Sequence, residues 1–117
     1  MEIFMLKNND KLLVCYRRLF INDENRFFLG TVDEYDNGLV KITGHSFLRD
    51  GITGQMAEKS SQATKILSIS AGSLIVYLLP DSVDIDKLHF SQQKLKICLT
   101  DGQDFSLDLT EKSLRTS

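Results

Sequence analysis

The chain of 117 residues contains one proline, two cysteines, no surplus of positive charge and no long apolar run. Each scarcity excludes something. Lysine and arginine number 14 against 16 aspartates and glutamates, a formal charge of -2, so the molecule as a whole has no positive field to draw in a phosphate backbone. Any contact with nucleic acid must come from a local patch. Cys15 and Cys98 lie far apart within apolar stretches, without the close spacing of a zinc site or a disulfide scaffold. Both are expected to be buried as reduced thiols, because cysteine behaves as a small hydrophobe. No stretch approaches the roughly 20 apolar residues that span a bilayer. Met1 to Asp10 also lacks the basic start, apolar run and small-residue cleavage site of a secretory signal, which leaves a cytoplasmic protein as the expectation.

Chemistry-bearing motifs are equally scarce. There is no glycine-rich phosphate loop and no nucleophile elbow. His45 and Ser46 are adjacent, and adjacent strand residues point to opposite faces, so an ordinary strand histidine is the better reading. His89 has no neighbour at metal-ligand spacing. Asp81, Asp84 and Asp86 alternate but lack the glycine turn and terminal glutamate of a calcium loop, and read as solvated carboxylates. No catalytic residue, metal or cofactor is expected, and the chain is read as non-enzymatic.

What the sequence does have is alternation. With 42% hydrophobic residues it can bury one modest core, which suggests a single domain over 1–117. Apolar and polar residues alternate, and β-branched and aromatic types are frequent, so the dominant period is that of strands. Strands are expected near Leu12 to Ile21, Arg26 to Tyr35, Leu39 to Leu48, Thr64 to Ser70, Ser73 to Leu79, Lys94 to Leu99 and Gln103 to Leu109. Pro80 fits a strand end, where a missing N–H does little harm.

Register arithmetic supports a hairpin of the second and third strands. A loop of Asp36-Asn37-Gly38 sets Tyr35 against Leu39, Asp33 against Lys41, Val32 against Ile42, Thr31 against Thr43, Gly30 against Gly44 and Phe27 against Phe47. Favourable cross-strand pairs contribute roughly 0.2–1 kcal/mol each. The facing glycines would permit a sharp bend, and Gly38 would take the left-handed position of a three-residue turn. In the last hairpin, a Thr100-Asp101-Gly102 loop pairs Ile97 with Phe105 and Leu95 with Leu107, so that all the leucines share one face. Arg49 to Ala63, with Gly51, Gly54, Ser60 and Ser61, reads as an exposed, mobile loop. Asp81 to Gln93 reads as a polar connection with one helical turn near Val83 to Leu88.

Two segments carry a family resemblance. The first is Phe28-Leu29-Gly30-Thr31-Val32-Asp33-Glu34-Tyr35-Asp36-Asn37-Gly38-Leu39-Val40-Lys41-Ile42: a glycine, alternating hydrophobics, an aromatic followed by aspartate, a turn and a hydrophobic strand. The second is Ile69-Ser70-Ala71-Gly72-Ser73-Leu74-Ile75-Val76-Tyr77, a short glycine turn leading into an apolar strand. Over about residues 12 to 80 the chain resembles the Sm-like (LSm, Hfq-type) family of small β-barrels. The resemblance implies a strongly bent five-stranded, SH3-like barrel. It also implies rings in which the fourth strand of one subunit pairs with the fifth strand of the next, and contact with single-stranded RNA. Asp36, Asn37 and Gly72 match positions that hold uridine in the family. The departures fall at the same place: the first turn is about two residues short, and Ala71 stands where the family has arginine.

Two readings of the residues themselves stand beside the resemblance. Leu74, Val76 and Leu78 point to one face of the fifth strand and Ile75, Tyr77 and Leu79 to the other, so both faces need cover, either from another copy of the chain or from the C-terminal hairpin. Arg17 and Arg18, with Tyr16, Phe20 and Arg26 nearby, form a patch able to grip phosphates and stack on bases, or else to pair with Asp23, Glu24 or Glu34. The expected protein is therefore all-β: an Sm-like barrel over about 12–80 with a C-terminal β-hairpin extension over about 93–110. Its expected function is that of a homo-oligomeric ring and binding module with single-stranded RNA as candidate ligand. The alternative is a protein-interaction or scaffolding oligomer of the same fold that binds no RNA.

Overall fold

The computed structural model describes residues 6–17, 25–49, 55–59, 61–70, 72–93 and 96–109. It is all-β apart from one 3-10 turn, with strands β1 (Lys11–Tyr16), β2 (Asn25–Asp36), β3 (Leu39–Arg49), β4 (Met56–Glu58), β5 (Ala63–Ser68), β6 (Leu74–Leu79), β7 (His89–Gln93), β8 (Lys96–Thr100) and β9 (Ser106–Asp108). Every pairing is antiparallel. The chain divides into two compact units, Met1–Asp81 and Ser82–Ser117. Among the described residues no helix is long and apolar enough to cross a membrane.

In the first unit, β6, β1, β2 and β3 lie side by side, and the far edge of β3 is shared by β5 along its first half and β4 along its last. The sheet is not closed into a barrel, since β5 pairs only with β3 and β6 only with β1 among the described residues. The expected five strands are six, because Met56–Glu58, inside the stretch read as a loop, adds a short ladder to Phe47–Arg49. Such a short strand has too few residues to show alternation. The expected first strand is also shorter, with Tyr16 its last residue.

Alternation sets the two faces. Leu12, Val14, Phe28, Val32, Val40 and Ile42 form the buried cluster on the inner face, joined by Ala63 and Leu67 of β5 and by Leu74 and Val76 of β6. Leu13, on the other face of β1, is fully buried as well, so three consecutive residues of this strand are withdrawn from water. Gly30 faces Gly44 as expected, and the two strands approach closely there. A Cβ on Gly44 would lie 2.0 Å from the carbonyl oxygen of Leu29, and one on Gly30 would lie 2.4 Å from that of Thr43. Backbone fills the space that side chains would need.

The β2–β3 hairpin follows the expected register from Phe27↔Phe47 to Val32↔Ile42 and then departs from it. Beyond a bulge at Asp33 the pairs are Glu34↔Lys41, Tyr35↔Val40 and Asp36↔Leu39, which leaves a two-residue Asn37-Gly38 turn. Both turn residues have positive φ, 49° and 80°, the requirement of a primed turn whose twist suits a hairpin. The bulge moves Tyr35 onto the inner face, where it packs against the core cluster. Leu39, expected as its partner, is instead 51% exposed.

The second unit opens with a 3-10 turn, Ile85–Lys87, capped by Asp84, whose carboxylate accepts from the N–H of Asp86 at 3.0 Å. The segment read as a polar connection therefore contains β7 as well as its helical turn. Pairing Leu99↔Leu107 and Thr100↔Ser106 corrects the expected three-residue loop to one of five residues, Asp101 to Phe105. Its organiser is Asp101, whose Oδ1 accepts from the N–H groups of Gln103 (2.8 Å) and Phe105 (3.1 Å). Because the register moved by an even number, Leu99 and Leu107 still share one face. Cys15 and Cys98 are thiols that are half-buried rather than buried.

Candidate functional site

Four of the five sequence-derived RNA candidates, Asp36, Asn37, Gly72 and the Arg17 backbone, lie in or beside the connector that joins β5 to β6. Asp36 and Asn37 are exposed at the end of β2 and in the turn after it, and Gly72 is exposed in the connector 69–73. The N–H of Ile69 donates to the Gly38 carbonyl at 2.9 Å, fastening one end of that connector to the turn. At its other end the N–H of Arg17 donates to the Ser73 carbonyl at 2.8 Å. Four extended steps reach at most about 14 Å, which bounds the separation of the connector's two anchored ends. Arg18, Phe20, Asp23, Glu24 and Ala71 lie outside the described residues.

Tyr16 belongs to a different feature. It sits opposite Arg26 on β2 and Leu74 on β6, with its side chain on the inner face. Here a cleft of about 270 Å³ opens, lined by Tyr16, Arg26, Ser46, Leu48, Lys59 and Lys65, with Phe27 and Phe47 completing its wall. β5 is the reason Lys65 arrives: it faces Ile42 in the ladder and alternates with Ala63 and Leu67, so its stem starts from the inner face. Its ammonium lies 4.7 Å from the centroid of Phe28, 5.4 Å from that of Tyr16 and 3.5 Å from the Tyr16 hydroxyl, which accepts a long hydrogen bond. Cation–π contacts of this kind contribute about 0.5–1 kcal/mol each. Lys59 is placed beside Ser46 by its N–H, which donates to the Ser46 carbonyl at 2.9 Å.

The charge of the cleft is one-sided. Among the described residues no carboxylate lines it, and none pairs with Arg26, Lys59 or Lys65. It offers N–H and O–H donors from a guanidinium, two ammonium groups and two hydroxyls. The local spacing of Tyr16, Arg17 and Arg26 was visible in the sequence, whereas Lys59 and Lys65 come from more than 30 residues away and only the strand pairing brings them in. The one signal was Lys65 standing on the apolar phase of its strand.

A second feature is apolar. Leu6, Ile69, Val76 and Leu78 line a groove of about 310 Å³ beside the outer edge of β6. Ile66 on β5 is 68% exposed and Leu78 on β6 is 57% exposed, the two edge strands thus both carrying uncovered aliphatic side chains. Of the interface candidates on β6, Leu74, Ile75, Val76 and Tyr77 are half-buried and Leu79 is buried.

The remaining polar residues have structural partners. Asp33, in the bulge, accepts from the Thr43 hydroxyl, which leaves Thr64 to donate to Thr43 at 2.8 Å. Asp10, buried, accepts from the N–H of Lys7 at 2.9 Å and pairs with its ammonium at 3.0 Å, which raises the Lys7 pKa through the hydrogen bond and the adjacent negative charge. The Asp81 carbonyl accepts from the Lys11 ammonium at 2.8 Å. No group of three or more His, Cys, Asp or Glu side chains able to hold a metal occurs among the described residues. The chain matches no family model, no curated protein and no solved structure.

Proposed function

We propose that this protein is a non-enzymatic binding module of Sm-like type, which assembles through its edge strands into a homo-oligomeric ring and contacts single-stranded RNA. The observation that carries the reading is the pair of open edges. β5 and β6 are each six residues long and each is paired on one side only among the described residues. Each also carries an exposed aliphatic side chain, Ile66 or Leu78. An exposed apolar edge invites strand addition, and a second copy presenting the opposite edge satisfies both ladders at once. Light scattering at micromolar concentration tests the assembly: a mass several times 13.3 kDa is expected, and a monomer removes the ring. Fluorescence anisotropy with uridine-rich and adenine-rich oligonucleotides tests the RNA contact, and no binding at low salt ends it.

A second reading keeps the oligomer and drops the RNA. The tight Asn37-Gly38 turn favours it, since the longer turn associated with uridine binding is missing. An oligomeric mass without binding of either oligonucleotide would select this scaffolding role.

A further inference from the structure

We infer that the cleft between the end of β1, the start of β2 and β5 is a phosphate site, with Arg26, Lys59 and Lys65 as its charged ligands and the Tyr16 hydroxyl as a neutral donor. The inference rests on the RNA reading for the source of the phosphate, a single-stranded RNA backbone. Its chemistry is independent of the turn at Asn37.

Three observations converge. The positive charge is concentrated where the chain as a whole is negative, at -2, and no described carboxylate neutralises it. The Lys65 ammonium is held against two aromatic faces and the Tyr16 hydroxyl at 3.5 Å, which fixes its charge at the cleft, and because that hydroxyl accepts, its own proton is left to donate. Arg26 on β2 and Lys59 just after β4 are both exposed and belong to separate segments, so they can close on an oxyanion from two sides, the guanidinium in bidentate fashion. A volume of about 270 Å³ lies just below the roughly 300–1,000 Å³ of small-molecule sites, which suits one nucleotide unit. The Tyr16 ring already has the Lys65 cation over it, so the charge of the phosphate dominates recognition and base identity matters little.

The test uses the full chain, with Arg26→Gln and Lys59→Gln singly and combined, and Lys65→Gln as a third variant checked for folding by circular dichroism. The probes are uridine-rich and adenine-rich oligonucleotides, inorganic phosphate and polyglutamate. Wild type should bind both oligonucleotides alike. The double variant should lose about tenfold or more in affinity, and its salt slope should fall by about 1.4, two contacts at roughly 0.7 each for single strands. Lys59→Arg should retain binding. If the double variant binds RNA with unchanged affinity and slope, the cleft is overturned and the RNA reading survives. If RNA fails to bind but inorganic phosphate shifts the amide resonances of Tyr16, Arg26 and Lys59, the cleft stands and the RNA reading falls. Silence with both probes overturns both, and equal binding of polyglutamate replaces phosphate with carboxylate.

Discussion

At the scale of single residues, the close approach of β2 and β3 at Gly30 and Gly44 depends on the absence of two methyl groups. Gly44→Ala would force a Cβ to 2.0 Å from the Leu29 carbonyl, a contact with backbone that no side-chain rotation relieves. Urea unfolding should show a loss of about 3 kcal/mol or more, and a loss under about 1 kcal/mol would mean the strands separate easily there. Asp101 acts through charge and acceptance together. The N–H groups of Gln103 and then Phe105 hold its carboxyl below the ordinary 3.8. A carboxyl with a depressed pKa stabilises the loop when ionised, so the contribution is present above about pH 4 and is lost as pH falls through the lowered value. Protection factors of the Gln103 and Phe105 amides, corrected for the intrinsic pH dependence of exchange, should fall on acidification in wild type. In Asp101→Asn, which keeps the acceptor oxygen, that fall should disappear. Gly30 and Gly44 were legible as a facing pair because matching residue types flank them on both strands. Asp101 was visible only as a turn residue, since its reach to Phe105 depends on a loop length that the sequence leaves open.

At the scale of elements, the β2–β3 hairpin divides into a half that could be read and a half that could not. Phe27↔Phe47, Thr31↔Thr43 and Gly30↔Gly44 constrain the register through like pairs. Near the turn, a three-residue loop with a flush ladder and a two-residue primed turn with a bulge fit the letters equally well. The choice falls to Tyr35, which the bulge delivers to the core cluster. β4 and β7 escaped notice because Met-Ala-Glu and His-Phe-Ser-Gln-Gln have weak strand preference and owe their conformation to the strands they pair with, β3 and β8. The edge strands give the prediction that belongs here. Ile66→Lys and Leu78→Lys alter exposed side chains, so each should change stability by no more than about 0.5 kcal/mol. If β5 and β6 join copies of the chain, the double variant should run as a folded monomer of 13.3 kDa in light scattering, whereas an unchanged oligomer would place the contact elsewhere.

At the scale of the whole molecule, ligand and assembly should respond differently to ionic strength. Phosphate contacts release counterions, so oligonucleotide affinity should fall steeply between low and physiological salt, while an interface of backbone ladders and aliphatic side chains should hold. Parallel anisotropy and light scattering across a salt series check this, and dissociation of the oligomer along with the RNA would show charge at the subunit contact. The connector at 69–73 carries a last consequence. Its ends are held to the turn at Gly38 and to the Arg17 backbone, beside the edges of β5 and β6 that are unpaired among the described residues, and in an assembly through those edges it would help set the angle between them. In a head-to-tail assembly that angle decides whether successive copies close or run on without end. Were the chain to assemble so, lengthening this tether by a residue or two would be a dial on copy number, with fibres at one extreme of its travel.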